Sequence, residues 1–342
     1  MKKYLFFIAA AMAISSTKAQ DIGQIIAGSK DDANKYLNAY MEPFGKGEIL
    51  NMGRGWTNTA RVHKLLGFDL SVSVQGAIVP DDKQSFVFRN ADYSTFKLSN
   101  TTNTSATIPT FFGNDSQQDI RATTTINGKN VTYDFKTPKG IGNDLKFVPL
   151  PIVQVGIGLI KHTDLKIRYF PKTKFSDVEV GVFGVGIQHE FSDYLPFIKK
   201  IPFLHLSALA AYNTTTSSYN LTGKGLAGSN QTVDLKLSAF TVQGIASVKF
   251  ALLEVYTSVG YTTGKADVNM NGSYTVTYDD KSTVPASKYT ITAVDPVALS
   301  YNNSGIANTW GVRLNLLFLK LYGDYTFANY NGFGAGIAFS FR

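Results

Sequence analysis

The strongest constraint on this chain is a two-residue alternation that recurs along it. In residues 68–78, Phe68, Leu70, Val72, Val74 and Ile78 fall on one side and Asp69, Ser71, Ser73, Gln75 and Ala77 on the other. Residues 310–318 set Trp310, Val312, Leu314, Leu316 and Phe318 against Gly311, Arg313, Asn315 and Leu317. Residues 333–341 set Phe333, Ala335, Ile337, Phe339 and Phe341 against Gly334, Gly336, Ala338 and Ser340. Side chains on a strand alternate between faces, so period two at this length means β-strands with two unlike faces. A soluble sandwich also alternates, but its wet face carries many Lys and Glu, whereas the second face here holds Gly, Ser, Thr and Asn with scattered charge. Asp, Glu, Lys and Arg make up 17% of the residues, against about a quarter in soluble domains. Alternating segments of about ten residues mark a membrane barrel, the one strand architecture that satisfies every backbone group in lipid.

Ten spanning strands follow from the pattern: 68–79, 151–161, 164–170, 177–190, 203–213, 233–249, 252–263, 306–318, 320–329 and 332–342. The expected fold is all-β, an antiparallel transmembrane β-barrel of about ten strands with a short N-terminal helical segment. With the first strand running outward, long connections, 80–150 and 264–305, fall at one end and short turns at the other, the asymmetry of this class. Segment 121–135 reads as a hairpin around Asn127-Gly128, and 268–294 as a second. If either reached the lipid, the count would be twelve or fourteen. Within 191–202, Ser192 is expected to cap a short helix carrying Tyr194, Leu195, Phe197 and Ile198 ahead of Lys199 and Lys200, an amphipathic turn at the inner interface.

Three segments organise the chain: 1–19, 20–66 and the barrel 67–342. Lys2 and Lys3, the apolar run Leu5 to Ile14 and Thr17-Lys18-Ala19 read as a cleavable export signal, too short in its apolar part to span a bilayer. Its removal takes away Lys2, Lys3 and Lys18 and lowers the formal charge from +8 to +5, which weakens any case for a nucleic-acid partner. With no Cys in the chain, disulfides, thiolate metal sites and cysteine nucleophiles are excluded. From Asp21 to Tyr40, Ile22, Ile25, Ile26, Ala33, Tyr36, Leu37 and Tyr40 form a broken helical stripe, with Ser29-Lys30-Asp31-Asp32 as a restart cap. Glycines at 45, 47, 53 and 55 follow. Segment 20–66 is expected either as a lumenal plug, with Arg54, Trp56 and Asn58 as its candidate contacts, or as a periplasmic cap.

The expected lumen-facing polar residues are Lys166, Arg168, Glu179, Lys249, Arg313, Asn315 and Asp324, with Lys236 as a further candidate. Paired charges filling a narrow barrel are the plain reading of such a set, and a polar path the functional one. The four histidines, His63, His162, His189 and His205, show no spacing for a metal site or a nucleophile and base pair, so no enzyme, metal or cofactor is expected. The stretches MEPFGKGEILNMGRGWTNTARVHKLLGFDL (41–70), VGIGLIKHTDLKIRYFP (155–171) and GVFGVGIQHEFSDYLPFIKKIPF (181–203) resemble an uncharacterised family of outer-membrane barrels over essentially the whole mature chain. The arrangement of an N-terminal segment before an antiparallel barrel is also similar to the FadL-type transporters of hydrophobic compounds. Where those carry Asn-Pro-Ala this chain has Asn58-Thr59-Ala60, and no ligand residue carries over. The narrow barrel, its non-barrel N-terminal segment and the absence of catalytic clustering lead to the expectation of an outer-membrane barrel that binds or passes a small hydrophobic compound; the alternative is a structural or accessory barrel docking a partner protein through its outer loops or N-terminal arm, without transport. Expected partners are outer-membrane lipid and the barrel assembly machinery, to which the ending Ala338-Phe339-Ser340-Phe341-Arg342 resembles a signal.

Overall fold

The computed structural model describes residues 23, 25–26, 29–126, 129–142, 144–223, 227–280 and 287–341. The expected export signal, the expected turn at Asn127-Gly128, Ile22 and Arg342 lie outside the described residues. Along the chain, helix α1 (Lys30–Met52) is followed by β1 (Phe68–Ile78) and then by five short strands, β2 (Ser85–Arg89), β3 (Phe96–Leu98), β4 (Ser105–Pro109), β5 (Asp119–Ile126) and β6 (Lys129–Lys136). Next come β7 (Phe147–Leu159), β8 (Thr163–Phe175), β9 (Val178–Glu190), β10 (Leu204–Asn220) and β11 (Ala227–Phe250). The rest is β12 (Leu253–Asp280), β13 (Ser287–Val294), β14 (Val297–Leu316), β15 (Leu319–Phe327) and β16 (Gly332–Phe341).

Ten of these strands form one antiparallel ring, β1-β7-β8-β9-β10-β11-β12-β14-β15-β16. The first and last close it, from Phe68 opposite Phe341 to Ala77 opposite Gly332. Closure removes both sheet edges, whose unpaired amides would otherwise remain open. The ring contains all ten strands expected from the alternation. Both hairpins exist but stand above it: β5-β6 joins β3 in a separate sheet, and β13 pairs with the upper part of β12. Segment 264–305 is therefore not a free loop. Strands β12 and β14 run on through it, paired from Leu253 opposite Leu314 to Met270 opposite Val297.

The alternation sorts the faces. Leu70, Val72, Val74, Phe183, Ile187, Phe240, Val259, Trp310, Val312 and Ile337 are exposed on the outside. Ser71, Ser73, Gln75, Gln154, Arg168, Gln188, Ser207, Thr241, Glu254 and Arg313 are buried inside. An apolar belt surrounds a polar interior, the reverse of a soluble barrel. The turns at 160–162, 251–252 and 317–318 define one end, and the long connections the other. In the 191–203 connection, Ser192 begins a 3-10 turn rather than capping a helix, and its hydroxyl donates to the Leu206 carbonyl at 3.3 Å.

At the loop end β2-β4 and β3-β5-β6 make a small domain packed on the first half of α1. Ser29 caps that helix, accepting from the Asp32 amide at 3.5 Å. Tyr36 meets Phe86 edge-on at 5.6 Å and Tyr40 meets Phe111 at 6.0 Å. Phe88 stacks on Tyr93 at 4.3 Å. This apolar cluster continues without a break into the barrel mouth through Leu235, Leu237, Val268, Leu299 and Tyr301. The helix is longer than the sequence suggests, passing through Pro43, Gly45 and Gly47. Its glycines serve close packing: a Cβ on Gly45 would lie 2.4 Å from the Tyr301 ring.

Asp32 ties this domain to the helix. Its carboxylate accepts from the Thr95 amide (2.5 Å) and hydroxyl (2.6 Å) and from the Ser94 amide and hydroxyl (both 3.1 Å). Burial works to raise its pKa, but the bonds from Thr95 and Ser94 outweigh it and hold the carboxyl below the usual 3.8. With the folded-state pKa depressed, its stabilising contribution is complete above that usual value and is lost as pH falls through the lowered one. Asp32→Asn should cost about 1.5–3 kcal/mol, the range for hydrogen bonds to a charged group, and speed amide exchange at residues 94 and 95. Unchanged exchange there would remove Asp32 from this role.

Candidate functional site

The site is the interior of the ring, which the chain's own residues 44–63 occupy. From the loop end, the second half of α1 descends with Ile49, Leu50 and Met52 buried. The chain then continues without regular structure to the short-turn end, where β1 begins. An irregular backbone enclosed by a wall has no water to bond and no ladder to join, so its amides need side-chain partners. Five neighbouring strands, β7 to β11, provide them. Gln154 donates to the Trp56 carbonyl (3.2 Å), Gln188 to Thr59 (3.0 Å), Asn213 to Met52 (3.2 Å) and Gln243 to Gly53 (3.0 Å). In the other direction, the amides of Ala60, Val62 and His63 donate to Ser247 (3.1 Å), Glu190 (3.0 Å) and Asp164 (2.9 Å).

Arg168 is the centre of this arrangement. Its guanidinium donates to the carbonyls of Met52 (3.1 Å) and Arg54 (2.7 Å) and to Gln154 Oε1 (3.1 Å). It therefore caps the C-terminus of α1, where a cation also meets the negative end of the helix dipole. The same group lies 3.7 Å from the centroid of the Trp56 ring, a desolvated cation-π contact. Trp56 fits because the wall behind it is bare. Cβ atoms on Gly184 and Gly186 would come within 3.2 and 3.1 Å of the indole.

Of the residues expected to face the lumen, Lys166, Arg168, Arg313 and Asn315 are buried inside. Asp324 also points inward and accepts from the Tyr256 hydroxyl at 2.9 Å. Lys249 is half-buried on the inward face near the short-turn end. Arg313 donates to Asn58 Oδ1 at 2.5 Å, and Arg54 to the carbonyls of Gly76 (3.3 Å) and Tyr330. Thus Arg54, Trp56 and Asn58 each contact the wall. Glu179 is a correction: it pairs with Ser218, on the outward face at the loop end, and with Lys172, Asp234 and Lys236 borders a depression there. It has the same parity as the outward Phe183, Val185 and Ile187, a signal already present in the sequence.

Sequence reasoning missed a cluster at the short-turn end. His63 Nδ1 lies 2.8 Å from Asp164 Oδ2, and Nε2 lies 3.3 Å from Ser340 Oγ and 3.7 Å from Asp69 Oδ2. This has the connectivity of a Ser-His-Asp triad. Ser340 is 5% exposed, His63 4% and Asp164 1%, which leaves no room for an acyl group at Ser340, and the arrangement instead fastens the segment to β8 and β16. The inward parity of Asp164 and Ser340 was readable; their meeting with His63 was not. The other histidines lie apart: His205 pairs with Glu190 at 2.5 Å, His189 with the Thr163 hydroxyl at 3.0 Å, and His162 with Asp193 at 3.6 Å. A second feature lies on the outer wall, an apolar depression of about 810 Å³ where Ala208, Ala210, Gly244 and Gly260 sit between Ile187, Val259, Tyr261 and Ile306.

Comparison with known proteins finds one family and several similar solved structures. A family model described as "Family of unknown function (DUF6588)" matches residues 1–341, in keeping with the resemblance read from the sequence. No curated protein matches. Among solved structures, the outer membrane protease OmpT of Escherichia coli is 10% identical, with 80% of this chain and 97% of that one covered at a TM-score of 0.28. The outer membrane channel DcaP of Acinetobacter baumannii is 10% identical, covering 82% and 100%, with a TM-score of 0.18. The translocator domain of the autotransporter NalP of Neisseria meningitidis is 9% identical, covering 81% and 88%, with a TM-score of 0.21. At such scores the barrel assignment rests on the chain's own closed ring.

Arg168→Met keeps the stem against Trp56 and removes the donors to Met52 and Arg54. Met52 keeps its bond from Asn213, but the Arg54 carbonyl and Gln154 Oε1 lose theirs, which should cost about 2–6 kcal/mol, from about 1–3 for each group. Trypsin should then cut the folded barrel after Arg54, which is 5% exposed in the native chain. Equal resistance in variant and wild type would show that Arg168 does not hold the segment.

Proposed function

The chain belongs to the family of unknown function DUF6588, and we propose that it is an outer-membrane β-barrel kept closed by its own N-terminal segment. It carries a folded loop domain outward and acts by binding a partner there rather than as a free pore. Several features support the membrane assignment: the apolar belt, the sealed ring and the signal-like residues 1–19. A cation on that belt would cost about 2–4 kcal/mol at mid-depth, and the large apolar side chains exposed on it are Leu, Val, Ile and aromatic residues. The observation that carries the closed state is the set of wall side chains bonded to the backbone of residues 52–63. A diffusion channel would hold water in the place this segment fills. The loop end carries the docking reading, because the described residues of 85–136 fold there into two sheets whose aromatic side chains pack on the first half of α1.

A second reading has its own observation. The apolar depression on the outer wall has the size of a site for a small hydrophobic compound, within the usual range of about 300–1,000 Å³. Such a compound would bind from the lipid, sideways, without entering the lumen. A Cβ on Gly244 would meet only the Val259 carbonyl oxygen, at 4.0 Å, so Gly244→Leu should fill the depression and weaken retention of a fluorescent fatty acid while leaving the fold intact.

The closed state is tested in planar bilayers. The wild-type protein should show no steady conductance, and a variant lacking residues 21–60, or the milder Arg168→Met, should show discrete steps. Steady pore currents from the wild type would sink the closed-barrel proposal.

A further inference from the structure

The short-turn end of the barrel has an unusual composition. Two-residue hairpin turns need positive φ, which Asn, Asp and Gly adopt most readily. Here Leu317 (φ 51°) and Leu66 (φ 64°) occupy such positions and are 88% and 77% exposed. A bulky apolar residue at positive φ is strained, at about 1–2 kcal/mol, and exposing it to water adds to that cost. The pattern is general at this end. Phe250 and Leu252 flank Ala251 (φ 50°), Ile160 precedes the Lys161-His162 turn, and Phe197 projects from the 191–203 connection with 83% exposure. The short connections at the opposite end carry Ser176 and Asp177, or Asn329 and Asn331, instead.

Two further observations say what covers these tips. Just above them on the outward face lies a band of Phe side chains: Phe318 stacks with Phe339 and Phe341 (both 6.3 Å), Phe341 meets Phe68 (5.2 Å), and Phe203 stacks on Phe250 (5.6 Å). Aromatic girdles of this kind sit at headgroup level. Among the tips the exposed charges are mainly basic, Lys64, Lys161, Lys199 and Lys200 against Asp193. Lysines beside bulky apolar side chains match a layer that is apolar below and anionic at its surface.

We propose that the short-turn end is a membrane footing: its apolar tips are seated in the interfacial layer of the inner leaflet, with the neighbouring lysines on lipid phosphates, and so fix the depth and direction of the barrel. The proposal rests on the membrane assignment above and goes further, since a barrel could equally project polar turns into water. It also gives the Leu residues at positive φ a reason to be there: strain at the turn is offset by insertion of the side chain.

Tryptophan reporters test it in vesicles of phosphatidylcholine and phosphatidylglycerol. The native Trp310 reports on the belt, and Trp56, 1% exposed, is a constant background. Phe197→Trp in a Trp310→Phe background reports on the footing, with Leu252→Trp as a second site should the first insert poorly. The footing reporters should lose most of their emission to lipid brominated near the headgroup and little to aqueous iodide, and Lys199→Glu with Lys200→Glu should reduce the bromine effect. If iodide quenches them and brominated lipid does not, while deep-brominated lipid still quenches Trp310, the footing is overturned and the membrane assignment stands; the tips would then be a docking face for a periplasmic protein. Failure of brominated lipid to quench Trp310 as well would overturn both.

Discussion

An irregular stretch of backbone cannot lie inside a closed ring unless the ring supplies its hydrogen bonds, and most of this structure follows from that requirement. Residues 53–63 have neither a helix nor a strand to pair with. The wall answers with long polar side chains at chosen heights: Gln154, Arg168, Gln188, Asn213 and Gln243 each reach a carbonyl. Beside them on the inward face stand several small residues, Gly156, Gly184, Gly186, Ala211, Thr215 and Thr241, which leave volume for the segment. Gly184 and Gly186 behind Trp56 are the clearest case. A ring of ten strands is wider than one that its own side chains fill, which happens at about eight, so the enclosed chain completes the packing.

The interior changes character along its axis. At the loop end α1 is held by an apolar cluster running from the small domain through Tyr36 and Tyr40 to Leu299 and Tyr301. At the short-turn end the segment is held by ions and hydrogen bonds around Arg168, Arg313 and His63. Apolar burial is non-directional and tolerates a helix rotating to fit, whereas charged hydrogen bonds fix position within fractions of an ångström. The helix is thus anchored by area at one end and by geometry at the other. Release would have to begin at the polar end, where individual substitutions remove several bonds at once.

The His63 cluster shows how far geometry alone goes toward chemistry. Its atoms have triad order and distances, yet a triad acts through an open position beside the nucleophile and donors for the developing oxyanion. Ser340 is in a strand paired on both sides, and its hydroxyl faces His63 in a filled space. The same three residue types therefore serve as a fastening. This is also the reason buried charge in the lumen is tolerated: Asp164, Glu190 and Glu254 each accept from the segment, and Arg168 and Arg313 donate to it. A buried charge that lost its partner would carry a desolvation cost of several kcal/mol.

The ring's strand count, ten rather than twelve or fourteen, needed the tertiary structure, which keeps both hairpins out of the ring, but the sequence by itself determined where those strands lie, which face of each is apolar, and the presence of a helix near the N-terminus. These are local properties, since a side chain two positions along a strand returns to the same face whatever the rest of the chain does. The same rule, applied without exception, would also have put Glu179 outside. What only the tertiary structure decided is where residues 44–66 run and which wall residues receive them. Arg168 meets residues 116 and 114 positions away, and His63 meets Ser340 across 277; contacts at such separations leave no periodic trace in the sequence. The glycines at 45, 47, 53 and 55 were visible from the start, but glycine permits a flexible linker as readily as close packing. Tyr301 and Thr262, standing within 3 Å of where a Cβ would be on Gly45 and Gly53, give the reason for those two.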